Sequence, residues 1–214
     1  MTDFAEKATE ARGFCVAFDA CAEAFLDEPT EEIVGDVRKV ARALGQGGFD
    51  VAVDEALKQR YYDRLFVTST PCYVPLVESS IARGGKDADG VMRYASTQSD
   101  LTDHVLLCYR TVGFDYQALS GYKLAVKSLH SDSFASELAF LAFCKKREAE
   151  CWDEGDEDQA SHWARLAAQF ADQHARRWIP KAAECLAATD EDFYALTCAL
   201  AAALVAVLVE GEEE

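Results

Sequence analysis

The sequence lacks the short motifs that mark the common catalytic centres. It contains no GxSxG nucleophile elbow, no P-loop, no GxGxxG turn after a strand and no HExxH pair. Its glycine clusters, 45-GQGG-48 and 84-GG-85, have no Lys-Ser or Lys-Thr pair beside them with which to hold a phosphate. The sequence therefore gives no positive support for an enzyme, and it predicts no cofactor.

Positive charge is also scarce. Lys and Arg number 21 against 38 Asp and Glu, which leaves a formal charge of −17. Such a surface repels phosphate backbones, so the sequence predicts no nucleic-acid partner. The acidity has two equally good interpretations. It could attract a basic partner, including a peptide rich in Lys or Arg, or it could serve only to keep the protein soluble.

Secretory and metal-binding signals are missing as well. The stretch 1-MTDFAEKATEARGF-14 has no apolar core of a signal peptide, so we expect a cytoplasmic protein. Eight cysteines are present without a CxxC pair, and in a reducing compartment most should be small buried apolar groups. His104 and Cys108 stand at i and i+4, a spacing that suits metal ligands on a helix. Two ligands do not make a zinc site, and the sequence predicts no metal.

Strand alternation is absent, and helical periodicity takes its place. Apolar residues recur at steps of three and four through most of the chain, and no Asn-Gly hairpin signal interrupts them. We therefore predict an all-α fold over 1–214, a single bundle-like domain of about eight or nine helices, either compact or divided into two lobes. The polar run 83-RGGKDADG-90 is the candidate hinge between lobes, and 210–214 form an acidic tail.

Several local signals predict where helices begin and end. Gly113 suits a helix C-terminus, and 131-SDS-133 suits an N-cap. Thr189, followed by Asp192 three residues later, resembles a capping box for the last helix. The acidic run 153-DEGDED-158 is expected to be a solvated loop.

The longest apolar run lies near the C-terminus. From Phe193 to Val209 the chain carries no formal charge over 17 residues, close to the lower limit of about 17 for a membrane span. Both flanks are acidic, with no Lys or Arg to mark a cytoplasmic end. We predict a buried core helix without stable membrane insertion; a tail-anchored helical adaptor is the alternative.

Proline is rare, yet two of the four prolines interrupt the helical pattern in 71-PCYVPLVESS-80. Prolines hold a segment extended and pre-ordered, so less entropy is lost when a peptide docks on it. In one interpretation the apolar side chains here contact a peptide and Glu78 supplies negative charge. In the other the segment is a buried connector, and Glu78 caps a helix.

Four stretches in order, over about residues 60–210, resemble the TorD/DmsD family of redox-enzyme maturation chaperones, which is related to the NarJ group. They are 62-YDRLF-66 with 71-PCYVPLVESS-80, 109-YRTVGF-114, 132-DSFASELAFLAF-143 and 170-FADQHARRWIP-180. They are similar to the family's Pro-x-x-x-Pro-x-x-Glu-Ser, Tyr-x-x-x-Gly-Phe, Glu-Leu helix and Phe-x-x-x-His-x-x-x-Trp segments. The family's Pro-Asp-His motif, which lies at its leader-recognition groove, is Ser131, Asp132 and Ser133 here, so only the Asp carries over.

The resemblance implies a non-catalytic cytoplasmic chaperone. Such proteins bind the apo catalytic subunit of a molybdopterin oxidoreductase, often through its twin-arginine leader, and hold it until the cofactor is inserted. A leader with a cationic end and an apolar stretch needs carboxylates beside an apolar groove. The candidate peptide-binding residues are Tyr73, Pro75, Leu76, Val77, Glu78, Ser79, Tyr109, Gly113, Phe114, Asp132 and Glu137.

The remaining family markers are interpreted mainly as packing residues: Leu65, Phe66, Phe170, His174 and Trp178. The last three share one helical face, which is typical of a packed seam. Tyr109 and Phe114 either line the groove or fill the core. A nucleotide-binding regulator is a further alternative. The sequence leaves open the client, the part of it that is bound, and whether the protein is a monomer or a helix-exchanged dimer.

Overall fold

The computed structural model describes residues 4–211 of the chain, and helix dominates them. Two-residue strands β1 (Gly85–Lys86) and β2 (Met92–Arg93) form one antiparallel pair. The chain is 69% helical, which confirms the all-α prediction. Residues 212–214 of the acidic tail lie outside the described residues. The helices are α1 (Phe4–Leu26), α2 (Glu31–Ala43), α3 (Glu55–Leu65), α4 (Glu78–Ala82), α5 (Asp100–Val112), α6 (Lys123–Lys127), α7 (Phe134–Glu154), α8 (Glu157–Phe170), α9 (Arg176–Ala187) and α10 (Phe193–Glu210).

The core forms where the long helices pack along one another. Helix α7 packs against α1 and α8, while α10 packs against α9 and α1. The apolar stripe of α1 explains its place, because Phe18, Cys21 and Phe25 all lie on its buried face. One connected apolar core includes residues of α1, α2, α7, α9 and α10. The segments that carry the candidate site are held against this core.

Helix α10 is apolar on all sides and takes an interior position. By length and composition it is the one helix among residues 4–211 that could cross a membrane. In the structure Tyr194, Leu200 and Val205 are fully buried, and α10 packs between α9 and α1. Its apolar surface is thus covered largely by protein, as in the core helix of a globular domain.

Two of the predicted helix ends are confirmed. Ser133 caps α7, and its hydroxyl accepts a hydrogen bond from the backbone N–H of Ser136. Gly113 follows α5 in the left-handed conformation, with φ of 72°, which glycine adopts at little cost.

Two other local predictions are wrong. Asp192, not Thr189, caps α10, because its carboxylate accepts from the N–H groups of Tyr194 and Ala195. The acidic run 153–158 is not a loop, since α7 extends to Glu154 and α8 begins at Glu157. Gly155 ends α7 with φ of 76° and Asp156 caps α8, so two residues suffice for the turn.

The polar run 83–90 is more ordered than its composition suggests. Its Gly85 and Lys86 form strand β1, a short ladder that the sequence analysis did not predict. A Cβ on Gly84 would lie 2.7 Å from the carbonyl oxygen of Arg93, so this close backbone approach requires glycine. Lys181 of α9 also donates a hydrogen bond to the Gly84 carbonyl. A hinge at 83–90 stays a prediction.

Helices α8 and α9 run on into each other through a π-helical segment at Ala171–Ala175. A π-turn inserts one extra residue and rotates the side chains that follow it. His174 lies within this turn and is 2% exposed. Pro180 lies inside α9 and has no backbone N–H to donate to the preceding turn. The π-turn therefore fixes the direction of a buried histidine.

Candidate functional site

The proline segment is extended and packs beside the start of α7. The N–H of Phe134 donates to the Leu76 carbonyl at 3.0 Å, and the N–H of Glu78 donates to the Asp132 carbonyl at 2.8 Å. Val77 and Ser133 form an isolated antiparallel bridge. These contacts join 76–78 to 132–134 into a two-stranded backbone wall, and the prolines keep the segment out of a helix.

An apolar cleft of about 220 Å³ lies on one side of this wall. The structure brings together four of the predicted peptide-binding residues there, Tyr73, Pro75, Leu76 and Val77. Two family markers interpreted as packing residues, Leu65 and Phe66, also line it. Ala125, Ser128, Leu129 and His130 also line it, together with Ser133 of the wall. A mostly apolar cleft with an extended edge suits an extended apolar peptide.

The predicted carboxylates do not line this cleft. Glu78 is 1% exposed, and Asp132 and Glu137 are fully buried. The Asp132 carboxylate accepts hydrogen bonds from the Ser79 N–H and the Thr102 hydroxyl, both at 3.1 Å. The structure therefore places these three acidic side chains in the interior and not on the surface of the cleft, and Asp132 there holds the backbone of Ser79.

The remaining candidates divide between core and surface. The Tyr109 ring is fully buried, and its hydroxyl donates to the Ser131 carbonyl at 2.8 Å. Phe114 packs against Tyr109 and Phe140 as part of an aromatic cluster that also contains Phe170. Gly113 lies at the exposed end of α5. None of these residues lines the cleft.

A polar cluster sits in the interior around His174. Its Nδ1 lies 2.8 Å from Oε2 of Glu78, and its Nε2 lies 2.7 Å from Nδ1 of His104. Burial by itself lowers the pKa of His174, but hydrogen bonds with Cys108 and Glu78 outweigh it and raise the pKa to about 9. A protonated His174 donates from both ring nitrogens, which neutralises the buried Glu78 carboxylate.

Glu137 is the second buried carboxyl of this region. Its Oε2 accepts a hydrogen bond from Nε1–H of Trp178 at 2.8 Å, and its other oxygen has no hydrogen-bond partner among residues 4–211. Burial, then the charges of Glu78 and Asp132, hold the pKa of Glu137 well above its usual range. A neutral Glu137 tied to the fully buried Trp178 forms part of the packing between α7 and α9.

Arg64 is a further residue of the site that the sequence analysis did not single out. It stands within 62-YDRLF-66, directly before the markers Leu65 and Phe66, yet it is fully buried. Its guanidinium donates to the Asp192 carboxylate, and also to the carbonyl of Cys72 inside the proline segment. An arginine directly before two apolar family markers was the available signal. Its partners are 8 and 128 residues away, which no local pattern reveals.

Three potential metal ligands also come together here. Nitrogen atoms of His104 and His174 and the sulfur of Cys108 all lie within 4.8 Å of one another. Two of these residues, His104 and Cys108, lie on α5 and were already paired by their spacing in the sequence. The third, His174, lies in the π-turn. Sequence spacing revealed only two ligands because the third lies 70 residues further along the chain from His104.

Comparison with known proteins gives one family. The sequence profile of the family described as nitrate reductase delta subunit matches residues 26–184, which is most of the chain. No curated protein and no solved structure matches the chain. The matched region contains the proline segment, every residue that lines the cleft except Phe25, and the cluster around the buried His174. The chain therefore belongs to the nitrate reductase delta subunit family, which is a family of molybdoenzyme maturation chaperones.

Proposed function

We propose that this protein binds the apo catalytic subunit of a molybdopterin oxidoreductase through its twin-arginine leader. It holds the subunit in the cytoplasm until the molybdenum cofactor is inserted, and then releases it for export or assembly. The observation that carries the proposal is the apolar cleft, which is lined by the family markers Leu65 and Phe66. The protein that presents this cleft is strongly acidic and belongs to this family.

The chemistry of the cleft and that of a leader are complementary. The apolar stretch of the leader occupies the cleft between Leu76 and Leu129, where burial of each large side chain contributes about 1.5–3 kcal/mol. The arginine pair is drawn by the net charge of −17 and pairs with carboxylates at the surface. Glu78 and Asp132 contribute indirectly, since they hold the backbone wall on which the peptide lies.

Calorimetry with a synthetic leader tests this proposal. The leader is that of a molybdoenzyme subunit captured with the protein from its native host, and the variants are Phe66→Ala and Tyr73→Ala. Both side chains are half-buried and line the cleft, so each truncation should weaken binding about tenfold, equivalent to about 1.4 kcal/mol.

Matched controls separate the cleft from general loosening of the fold. Phe143 and Tyr116 are half-buried aromatic residues outside the cleft. Phe143→Ala and Tyr116→Ala should leave leader affinity within a factor of about two. Equal losses in cleft and control variants would contradict the assignment of the peptide to this cleft.

A second experiment asks which part of the client is recognised. The apo subunit is co-expressed with and without its leader, and capture by the chaperone is compared. Loss of capture without the leader supports leader recognition. Capture that persists without the leader, and that Phe66→Ala abolishes, would move recognition to the mature subunit while keeping the cleft and the chaperone role.

A further inference from the structure

We propose that His104, Cys108 and His174 form a binding site for one zinc-class divalent metal ion. The ligand atoms would be Nδ1 of His104, the sulfur of Cys108 and Nε2 of His174, which all lie within 4.8 Å of one another. The site goes beyond the proposed chaperone function and needs no client. It would fasten α5 to the α8–α9 helix.

The ligand spacing is close to that of a tetrahedral site. Bonds of about 2.0–2.1 Å to nitrogen and 2.3 Å to sulfur put neighbouring ligand atoms about 3.3–3.6 Å apart. The two ring nitrogens are 2.7 Å apart, so they would separate by about 0.6 Å as the metal replaced the proton between them. His104 is exposed and can make this movement without disturbing the core.

A buried carboxylate completes the arrangement from behind. Glu78 is 1% exposed, and its Oε2 lies 2.8 Å from Nδ1 of His174. This contact leaves Nε2 of His174 directed at the other two ligands. Histidines that bind metals commonly donate their second ring nitrogen to a carboxylate in this way, and the carboxylate fixes the ring and strengthens the ligand. This contact is independent of the ligand cluster itself and points to the same use.

The local backbone also favours the site. His104 and Cys108 are separated by one turn of α5 and so face the same side. The π-turn at Ala171–Ala175 brings His174 against His104, with ring centroids 4.9 Å apart. Extra-residue turns of this kind are frequent at functional sites.

The donor set indicates the class of metal. Two imidazoles and one thiolate suit zinc and the neighbouring first-row ions, whereas calcium and magnesium require oxygen ligands. Three protein ligands leave a fourth tetrahedral position for water on the exposed side of His104. The metal would thus join α5 to the α8–α9 helix. His174 of that helix also contacts Glu78 of α4, next to the backbone wall of the cleft.

Metal titration of untagged, chelator-treated protein tests the proposal. Zn²⁺ binding is measured by competition with a chromophoric chelator, and Co²⁺ is added in parallel as a spectroscopic probe. We expect one ion per chain, tetrahedral Co²⁺ bands with a thiolate-to-metal charge-transfer band, and a rise in Tm with Zn²⁺.

The variants identify the ligands. Cys108→Ser should abolish the charge-transfer band and His104→Ala should weaken Zn²⁺ binding at least tenfold; both positions are accessible enough that the fold should persist, as circular dichroism would verify. Glu78→Gln should weaken binding about 10–100-fold while keeping the charge-transfer band. Cys15→Ser is the matched control, because Cys15 is also a half-buried helical cysteine, and it should change nothing.

Three results would overturn the metal site. These are absence of binding to the unaltered protein, unchanged stoichiometry and spectrum in both Cys108→Ser and His104→Ala, and equal loss in Cys15→Ser. None of them bears on leader recognition at the cleft, so failure of this inference and failure of the chaperone proposal are distinguishable.

Discussion

Replacement of the buried Arg64 by Met should destabilise the protein strongly. Arg64 is fully buried, and its guanidinium makes four hydrogen bonds: to the Asp192 carboxylate at 2.9 Å, the Cys72 carbonyl at 3.0 Å, and the Thr189 hydroxyl and Asp190 carbonyl, both at 2.7 Å. These contacts join α3, the proline segment and the α9–α10 connection. Met fills similar volume but leaves every one of these acceptors without its donor.

The expected cost follows from what remains at each acceptor. The Asp192 carboxylate is 12% exposed and keeps Arg60 and the N–H groups that it caps, so its penalty is small for a buried charge. The buried Cys72 carbonyl loses its guanidinium donor, and an orphaned buried group costs about 1–3 kcal/mol, whereas Asp190 is an exposed residue whose carbonyl can bind water instead. Breaking a buried ion pair costs about 3–5 kcal/mol in total, and we expect the loss within that range.

Urea unfolding followed by circular dichroism measures this loss from the shift in midpoint at constant m-value. Arg60 offers a matched control, because it also pairs with Asp192 but its side chain is 34% exposed. Arg60→Met should cost no more than about 1 kcal/mol, as for other exposed pairs. If Arg64→Met cost less than about 1 kcal/mol, or the same as Arg60→Met, the reasoning from burial would be refuted.

Three further predictions concern pH, backbone strain and capping. The pKa of Glu137 is raised by burial above its unfolded value, so stability should fall by up to about 1.4 kcal/mol per pH unit as pH rises from the unfolded pKa towards the folded one. Glu137→Gln should flatten that slope in urea unfolding at several pH values, and an unchanged slope would exclude Glu137 as its source. Gly121→Ala places a Cβ 2.3 Å from the Leu26 carbonyl oxygen at φ of 155°, so thermal unfolding should show a larger loss than Gly155→Ala, where φ is also positive but space is open. Ser133→Ala removes the cap of α7 and should cost about 1 kcal/mol, whereas no change would mean that the hydroxyl does not cap in solution.

Local patterns predicted the elements whose causes are local. The N-cap at Ser133 and the helix end at Gly113 follow from side-chain and backbone preferences of single residues, and the structure has both. Asp192 was assigned the second position of a capping box, but it is the cap, because Thr189 instead accepts a hydrogen bond from the distant Arg64. Tertiary contact thus decided between two residues that both have capping side chains.

Long-range contacts explain what the sequence left undetermined in the site. The pattern at i and i+4 found His104 and Cys108, but only the π-turn, many residues later, brings His174 to them. The resemblance found Glu78 as a family position, and its burial against His174 depends on how α4 packs on α9. The presence of a charged residue in a motif therefore did not reveal whether the Glu78 carboxylate faces a ligand or the protein interior.

Of the two residues that depart from the resembled Pro-Asp-His motif, Ser131 and Ser133, only Ser133 lines the cleft. Neighbouring side chains of an extended segment point to opposite sides, so Asp132 and Ser133 lie on different sides of the backbone wall. Asp132 is fully buried, and its carboxylate accepts hydrogen bonds from the Ser79 N–H and the Thr102 hydroxyl, so it serves the packing behind the wall. Ser133 lines the cleft and also caps α7, so a Ser where the resembled motif has His changes the lining of the cleft while α7 keeps its cap. The retained Asp is therefore explained by the packing of the fold, whereas the replaced His falls at the position whose side chain faces the cleft.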